Sequence, residues 1–548
     1  MRTLRQVSCF LGWLLVSPWL LGEKITSTAS AQEAPSSAGK AEIIEQAIRA
    51  LGDRESMVRA KACRDLSEFG ADAKSSVRAL IEALRDPEEA VRGEAARTLA
   101  YIGPDARAAL AELAGRLRDR DAWVRGNAAM ALGSIGPAAR PATAALIKNL
   151  DDGDVWVRRW TVSAVHEIGV EEATPALVKL LQDRDREVRR RAAAALGDLG
   201  KKQAKTVLPA LADALRIEST RSGRHNRFRL GVSDEVHHAL AGALVSFGAR
   251  SAAELTVALE SAGTDARWHA LDVVARIGRE ARSATPLILE AIEEENANMR
   301  AQAVRALAAV AEPGLALPRL IEALKDESDR VRRAAAEGLA GYGDSAKPAV
   351  SVLIRTLKDD SGGSAGRAAA LALRKIGKPA VAALVADLAD NPRKDVMMLL
   401  GKMGPAAREA VPALVALTRD DDVGMRCAAR LAMWRIDRAH ECNRALFDNL
   451  RLDLKGPDEA RVDVCAAVGE IGPEAKSMVP ALLEALREQD SVAQDFVAEA
   501  LGHIGAEARA AIPALVEALR PPNTSLAARA GEALKRIDPK AAAKAGVE

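Results

Sequence analysis

Apolar and polar positions recur along this chain in one long pattern, V-R-x-x-A-A-x-A-L-G-x-I-G. Its clearest copy, Val124 to Gly136, predicts an amphipathic helix that ends at the final glycine. The segment before it predicts another helix, because Pro104 suits a first helical turn and Leu110, Leu113 and Leu117 follow at helical spacing. We name these two elements helix A and helix B in chain order.

The last position of the pattern returns along most of the chain, usually after 31 to 35 residues. A period in this range is typical of stacked repeats rather than of a closed globular domain. Helices of about three turns are marginal alone, so each must bury its apolar face against its neighbours. The sequence therefore predicts an all-α solenoid of about fifteen stacked two-helix repeats. The terminal positions are Gly70, Gly103, Gly136, Gly169, Gly200, Gly248, Gly278, Ala311, Gly343, Gly377, Gly404, Asp437, Gly472, Gly505 and Asp538.

Residue content separates the repeat families that share this period. An ankyrin array should contain T-P-L-H-x-A, and a tetratricopeptide array should contain spaced aromatics, whereas only 3% of this chain is aromatic. The V-R helix, preceded by P-A-L-x-x-A-L at residues 480–486 and 513–519, resembles the short HEAT-like repeat first associated with phycobilisome bilin lyases. The resemblance covers about residues 41–540. It implies the fold, while the functions of such arrays include adaptors, scaffolds and occasionally enzymes.

The first 31 residues have a different composition. A basic start, the mainly apolar run Val7 to Leu21, and small residues at Ala29 to Ala31 predict a cleavable secretory signal. A retained membrane anchor is the alternative, although the run is shorter than a typical span. We interpret residues 32–39 as a short tether and residues 40–548 as one continuous solenoid. The chain is therefore expected to be exported, to the periplasm or outside the cell, by a bacterium.

Charge limits the classes of partner. Removing the predicted signal takes away three basic residues and one acidic residue, and leaves 75 of each. A general nucleic-acid binder should carry a basic excess, so this balance and the predicted export argue against that class. The remaining classes of partner are a protein and an anionic polymer of the cell envelope.

Four cysteines follow the predicted signal, Cys63, Cys427, Cys442 and Cys465. Cys63 and Cys465 occupy a small, packed position of helix B, which predicts buried thiols in the place of alanine. One disulfide among the last three remains possible in an oxidising compartment.

Enzymatic alternatives can be compared with the sequence residue by residue. Deoxyhypusine hydroxylase, a HEAT-like enzyme, binds iron through His-Glu doublets just after the V-R element. The doublets here, at residues 166–167 and 440–441, lie outside that register, and His238 lies in it but is followed by Ala239. A bilin-lyase-like enzyme with a groove site near Trp156, His166 and the basic insertion described below is the remaining alternative. We expect no catalysis, no metal and no cofactor.

The arginines of the V-R element form a ladder along the repeats. Acidic residues precede many of them, as at Asp53, Asp86 and Asp119. The ladder could bind anions, but a repeated Arg-Asp pairing within or between the inter-helix turns explains both the period and the charge balance. We therefore interpret it as structural. Its members are Arg59, Arg92, Arg125, Arg158, Arg189, Arg300, Arg332 and Arg426.

Tryptophans depart from the repeat at adjacent positions. Trp123 and Trp156 each precede a V-R element, and Trp160 lies one turn beyond Trp156. Helix B usually lines the concave face of such arrays, where exposed aromatics are good binding anchors. Ordinary packing between repeats is the alternative.

A basic insertion is the second departure from the repeat pattern. The step from Gly200 to Gly248 is the longest of the array, and it contains a basic stretch at about residues 216–235. Inserted segments often lie on a binding face, although a plain solvated loop explains the stretch equally well. The partner-binding candidates here are Arg221, Arg224, Arg227, Phe228 and Arg229.

Overall fold

A computed structural model describes residues 37–223, 235–261, 264–440, 445–488, 493–520 and 524–547. The chain divides into two compact units between Ala173 and Thr174. The predicted signal, residues 1–31, lies outside the described residues. The first helix of the described residues begins at Ser37, inside the stretch interpreted as a tether.

The first unit is a stack of helix pairs. Its helices are α1 (Ser37–Ala50), α2 (Ser56–Ser67), α3 (Val77–Ala83), α4 (Glu89–Ile102), α5 (Leu110–Arg116), α6 (Ala122–Ile135), α7 (Thr143–Asn149) and α8 (Val155–Ile168). The even-numbered helices are helices B, and α2, α4 and α6 each pack against the helix B that follows within this unit.

The second unit continues the alternation of helices A and B, with the even-numbered helices again as helices B. Its helices are α9 (Thr174–Leu180), α10 (Arg186–Leu199), α11 (Ala204–Gly223), α12 (Glu235–Ser246), α13 (Ala252–Ser261), α14 (Thr264–Ile277), α15 (Thr285–Ile292), α16 (Ala297–Val310), α17 (Pro313–Ala323), α18 (Asp329–Gly341), α19 (Val350–Asp359), α20 (Ser364–Ile376), α21 (Lys378–Asp390), α22 (Lys394–Met403), α23 (Val411–Leu417), α24 (Val423–Ile436), α25 (Leu446–Asp453), α26 (Asp458–Ile471), α27 (Val479–Arg487), α28 (Gln494–Ile504), α29 (Ile512–Ala518), α30 (Thr524–Ile537) and α31 (Pro539–Lys544).

Each helix B ends within three residues before one of the predicted terminal positions. Gly103 and Gly136 have φ angles of 72° and 78°, a left-handed backbone that glycine adopts without a side-chain clash. The repeats without a terminal glycine end differently, because Ala311 and Asp437 leave the helix through an extended backbone with φ of −83° and −149°. The predicted repeat boundaries are confirmed.

The core lies between helices A and B. Leu113 of α5, Leu117 directly after it and Leu132 of α6 are buried, so the leucines of helix A fill the space behind helix B. Successive helices B approach closely through small residues. A Cβ placed on Gly133 of α6 would lie 2.9 Å from the Cα of Ala164 in α8, so only glycine fits without displacing that backbone.

Candidate functional site

Aspartate caps fix the position of two tryptophans at the beginning of helix B. Trp123 and Trp156 are the second residues of α6 and α8. The carboxylate of Asp121 accepts a hydrogen bond from the backbone N–H of Val124 at 3.0 Å, and that of Asp154 accepts one from the N–H of Trp156 at 2.8 Å. These bonds satisfy donors at the helix start and define the direction in which each indole leaves the backbone.

A glycine of the preceding helix B lies under each of these indoles. A Cβ on Gly93 of α4 would be 2.1 Å from Cε3 and from Cζ3 of Trp123. A Cβ on Gly126 of α6 would be 2.3 Å from Cδ1 of Trp156 and 2.5 Å from its Nε1. The two rings therefore occupy space that any other residue at these positions would fill. Each indole extends from its own helix B to the helix B of the preceding repeat.

The indoles also remain accessible to solvent. Trp156 is 38% exposed, and the neighbouring Val155 is 37% exposed. Trp160, one turn along α8, is half-buried and meets the Trp156 ring edge to face, with ring centroids 5.5 Å apart at 69°. Trp123 is half-buried. We name Trp123, Trp156 and Trp160 the tryptophan surface. Indoles of this surface pack between repeats and also expose aromatic area to solvent.

Charged side chains on α4 of the same unit form ion pairs. Glu94 is buried and pairs with Arg64 at 3.1 Å and with Arg97 at 2.6 Å. Glu89 pairs with Arg120 at 3.5 Å. These pairs balance the charge on α4 close to Gly93, where the Trp123 indole lies.

The ladder arginines join neighbouring turns, as Arg92 illustrates. Its Nε and Nη2 donate to the carboxylate of Asp119 in the next turn, at 2.8 and 2.9 Å. Its Nη1 donates to the backbone carbonyls of Asp86 and Pro87 in its own turn, at 2.9 and 2.8 Å. The Asp119 carboxylate also accepts from the N–H of Asp121 at 3.0 Å. One guanidinium therefore connects two consecutive inter-helix turns.

The other ladder positions repeat parts of this arrangement within each unit. Arg158 and Arg332 donate to carbonyls of their own turns, those of residues 152–153 and 326–327. A position that the sequence pattern missed is Arg461, whose Nη1 lies 2.5 Å from Glu488. The acidic residue 27 positions further on was the signal that could have identified it. The carboxylate contacts are Arg59 to Asp86, Arg125 to Asp152, Arg189 to Glu218, Arg300 to Asp326 and Arg426 to Asp453.

Four of the ladder carboxylates have a pKa below the usual value for aspartate. Partial burial raises the pKa of Asp119, but the hydrogen bonds from Arg92 and from the Asp121 N–H outweigh this effect, so that its pKa lies below the usual value. The same balance lowers the pKa of Asp86, Asp152 and Asp326. Because the guanidinium groups that contact these four carboxylates are already engaged, they offer little to an incoming anion.

The basic insertion is only partly described. Helix α11 continues to Gly223, so the segment from Arg216 to that point is helical and does not form a loop. Arg216 pairs with Asp213 at 2.6 Å, and Arg221 pairs with Glu218 at 2.6 Å. Glu218 also accepts the ladder Arg189. Arg224, Arg227, Phe228 and Arg229 lie outside the described residues.

Histidines from two successive repeats of the second unit meet. The rings of His237 on α12 and His269 on α14 are stacked, with centroids 4.2 Å apart, and Trp268 meets His269 edge to face at 5.1 Å. The hydroxyl of Ser219 donates to the carbonyl of Leu215 at 2.8 Å, so it can accept from Nε2 of His237, 3.3 Å away. This contact could not be predicted from the repeat pattern, because the two histidines occupy different positions of the repeat.

Comparison with known families agrees with these features. The sequence profile of HEAT repeats matches residues 77–146, 143–225, 252–340 and 317–398, which together make up more than half of the chain. This chain belongs to the HEAT-repeat family. The profile of the PBS lyase HEAT-like repeat matches residues 493–520 of the same array. No protein of curated function matches this HEAT-repeat chain in sequence.

Solved structures similar to this HEAT-repeat chain include karyopherins. The Kap95:Nup1 complex has a TM-score of 0.52 and 13% identity, over 92% of this chain and 78% of the other. Kap121p has a TM-score of 0.55 and 14% identity, over 92% of this chain and 66% of its own length, and the structure of Kap121p bound to Nup53p gives a TM-score of 0.55 and 14% identity over 92% and 65%. At such identities the likeness shows the fold alone, an all-helical solenoid of stacked helices. None of the helices in the described ranges of the HEAT-repeat chain is both long and apolar enough to span a membrane.

Proposed function

We propose that this chain is an exported, non-catalytic scaffold that binds another protein through the tryptophan surface of its first unit. The observation that carries the proposal is the placement of Trp123 and Trp156. Both indoles lie across neighbouring helices B, and Trp156 keeps 38% of its surface exposed. Tryptophan is enriched among residues that dominate binding energy, because it brings a large apolar area at small entropic cost.

The charges of the first unit favour a protein partner over an anionic polymer. Arg97 and Arg120 on this unit are paired with Glu94 and Glu89, and Arg92 and Arg125 are paired with ladder carboxylates. A polyanion gains affinity chiefly from cations that can exchange small counterions for it. An aromatic surface next to balanced charges instead suits the apolar side chains of a protein.

Two further observations support a scaffold. The sequence begins with the features of a secretory signal, which supports export to the bacterial periplasm or exterior. The fold is typical of protein-binding solenoids, and two of the similar structures are Kap95 with Nup1 and Kap121p with Nup53p. That comparison is an analogy of fold and does not identify a partner.

Capture from the cell envelope tests the proposal. The purified chain is used as bait beside the double variant Trp123→Ala/Trp156→Ala and a matched control, Trp268→Ala, which removes a tryptophan of similar exposure from the second unit. Far-UV circular dichroism must show equal helicity in all three. We expect a protein that the unaltered chain and Trp268→Ala retain and the double variant loses, and its affinity is then measured with purified components.

Equal capture by all three proteins would assign the indoles to packing and reject this binding site. Capture of polysaccharide without protein would reject the protein partner. A metal or cofactor that copurifies in stoichiometric amount would favour the enzymatic alternative.

A further inference from the structure

His237 of the second unit stands at the repeat position that an arginine occupies in the ladder. It lies eleven residues before the terminal Gly248, just as Arg92 lies eleven residues before Gly103. A ladder arginine keeps its charge at every physiological pH, because a guanidinium does not lose its proton in proteins. An imidazole gains or loses a proton at about pH 6.5. The repeat that ends at Gly248 therefore carries a titratable ring in the place of a permanent cation.

The contacts of His237 differ from those of a ladder arginine. Its ring stacks on the ring of His269, with centroids 4.2 Å apart and planes inclined by 20°. The hydroxyl of Ser219 on α11 donates to the carbonyl of Leu215, so it can accept a hydrogen bond from Nε2 of His237. His237 on α12 thereby contacts helix A of its own repeat, α11, and helix B of the next repeat, α14.

The hydrogen bond to Ser219 determines where a further proton enters His237. A neutral imidazole carries one N–H, and Nε2 uses it towards the hydroxyl, so an added proton binds at Nδ1. His237 is only 4% exposed and His269 is half-buried, so water and salt screen charges on these rings weakly. Protonation of both rings would place two positive charges about one stacking distance apart, where they repel each other strongly.

The charges around the pair do not favour added positive charge. Helices α10, α11 and α14 all pack against α12. Glu218 contacts Arg189 and Arg221, and Asp272 lies 3.9 Å from Arg276. Arginines outnumber carboxylates among the described side chains on the adjoining turns, so two further protons would add to a basic surrounding. The charged and titratable groups there are Glu187, Arg189, Arg190 and Arg191 of α10, Glu218 and Arg221 of α11, Glu235 and His238 of α12, and Arg267, Asp272 and Arg276 of α14.

We propose that the stacked pair of His237 and His269 is a pH-sensitive joint between two successive repeats. At neutral pH the uncharged rings hold α12 against α14, and in mild acid the two protonated rings repel each other and loosen this contact. A ladder contact such as that of Arg92 with Asp119 stays closed in the same range, because the pKa of Asp119 lies below the usual value for aspartate. The joint goes beyond the proposed function, since it requires neither the tryptophan surface nor export.

Hydrogen exchange of the full chain, measured by mass spectrometry at about pH 7.5 and about pH 5.5, tests the joint on either side of the ordinary titration of histidine. The rates are corrected for the direct effect of pH, which is measured on the unfolded chain. Peptides from residues 235–246 and 264–277 should exchange about tenfold faster at the lower pH. Peptides from residues 89–135, which contain the Arg92 contact and no histidine, should change less than about twofold.

Two substitutions separate this pair from other titrating groups. His269→Phe keeps an aromatic ring against His237 but cannot take up a proton, so the acceleration in acid should fall below about threefold. The matched control is His238→Gln, which removes the exposed histidine next to the pair and should keep the full acceleration.

The outcomes decide the proposal in each case. Exchange of α12 and α14 that is no faster at the lower pH in the unaltered chain would overturn it, as would an acceleration that persists in His269→Phe or disappears in His238→Gln. If His269→Phe does not fold, an acceleration confined to α12 and α14 and kept in His238→Gln supports the joint, and one that extends equally to residues 89–135 rejects it. None of these results alters the test of the tryptophan surface, which is made at neutral pH.

Discussion

Replacing Arg92 by methionine should release the contact between the turns that precede α4 and α6. The side chains of Arg92 and Asp119 are only 6% and 3% exposed, and the guanidinium donates four hydrogen bonds of 2.8 to 2.9 Å. The substitution leaves the Asp119 carboxylate in the same place with fewer partners. Removing one member of a buried ion pair costs about 3–5 kcal/mol, and we expect a local loss of stability in that range.

Hydrogen exchange measured by mass spectrometry is the suitable assay. In a repeat array each unit contacts only its neighbours, so a single global free energy of unfolding does not describe the loss. Peptides from residues 89–135 should exchange at least about 100-fold faster in Arg92→Met, since 1.4 kcal/mol corresponds to a factor of ten. Peptides from residues 329–376 serve as the internal reference. The control Lys61→Met breaks an exposed pair with Asp65 and should cost no more than about 0.5 kcal/mol.

Lowering the pH extends the same hydrogen-exchange experiment. The pKa of Asp119 is lower in the folded chain than in the unfolded chain, so its ion pair contributes stability above the usual pKa of aspartate. That contribution is lost as the pH falls through the usual value and below it. The unaltered chain should therefore lose protection over this range, whereas Arg92→Met should lose less. Exchange rates that differ less than fivefold between Arg92→Met and Lys61→Met at neutral pH would refute the structural role of the ladder.

Two other predictions concern packing. Gly133→Ala should destabilise the first unit by about 1–3 kcal/mol, although alanine favours helices, because its methyl group would lie 2.9 Å from Ala164 Cα; a melting temperature at or above that of Gly115→Ala would contradict this. In a chain with Cys9 and Cys442 replaced by serine, the remaining Cys63, Cys427 and Cys465 should not react with a thiol reagent at pH 8 until denaturant is added, because burial raises the pKa of each to about 12. Prompt reaction in native buffer would show that the packing around at least one of these thiols opens.

Local signals made the fold predictable. A glycine that ends helix B and a proline that begins the next turn, as at Gly103 and Pro104, act within a few residues of the chain. The aspartate before helix B is a residue type that commonly caps a helix start, and Asp121 does so. These features depend on backbone geometry alone, which explains why the repeat boundaries agreed with the structure.

Contacts between repeats were harder to predict. The sequence left open which acidic residue each ladder arginine contacts. In the structure Arg92 donates to the carboxylate of Asp119, 27 residues further on. To Asp86, six residues back, it donates only at the backbone carbonyl. The glycines under the indoles also escaped notice, although each lies thirty residues before its tryptophan, at Gly93 and Gly126. Such pairs become apparent only when positions are compared between adjacent repeats rather than within one.

The division of each ladder contact between two repeats has a consequence for how the array can change its length. In a contact such as that of Arg92 with Asp119, one repeat contributes the donor and the following repeat contributes the acceptor. Removal of residues 104–136, one whole period, would leave Arg92 followed at the same spacing by Asp152 in place of Asp119. Removal of half a period would leave a guanidinium and a carboxylate without their counterparts. We therefore expect insertions and deletions to preserve the ladder contacts only when they span a whole repeat.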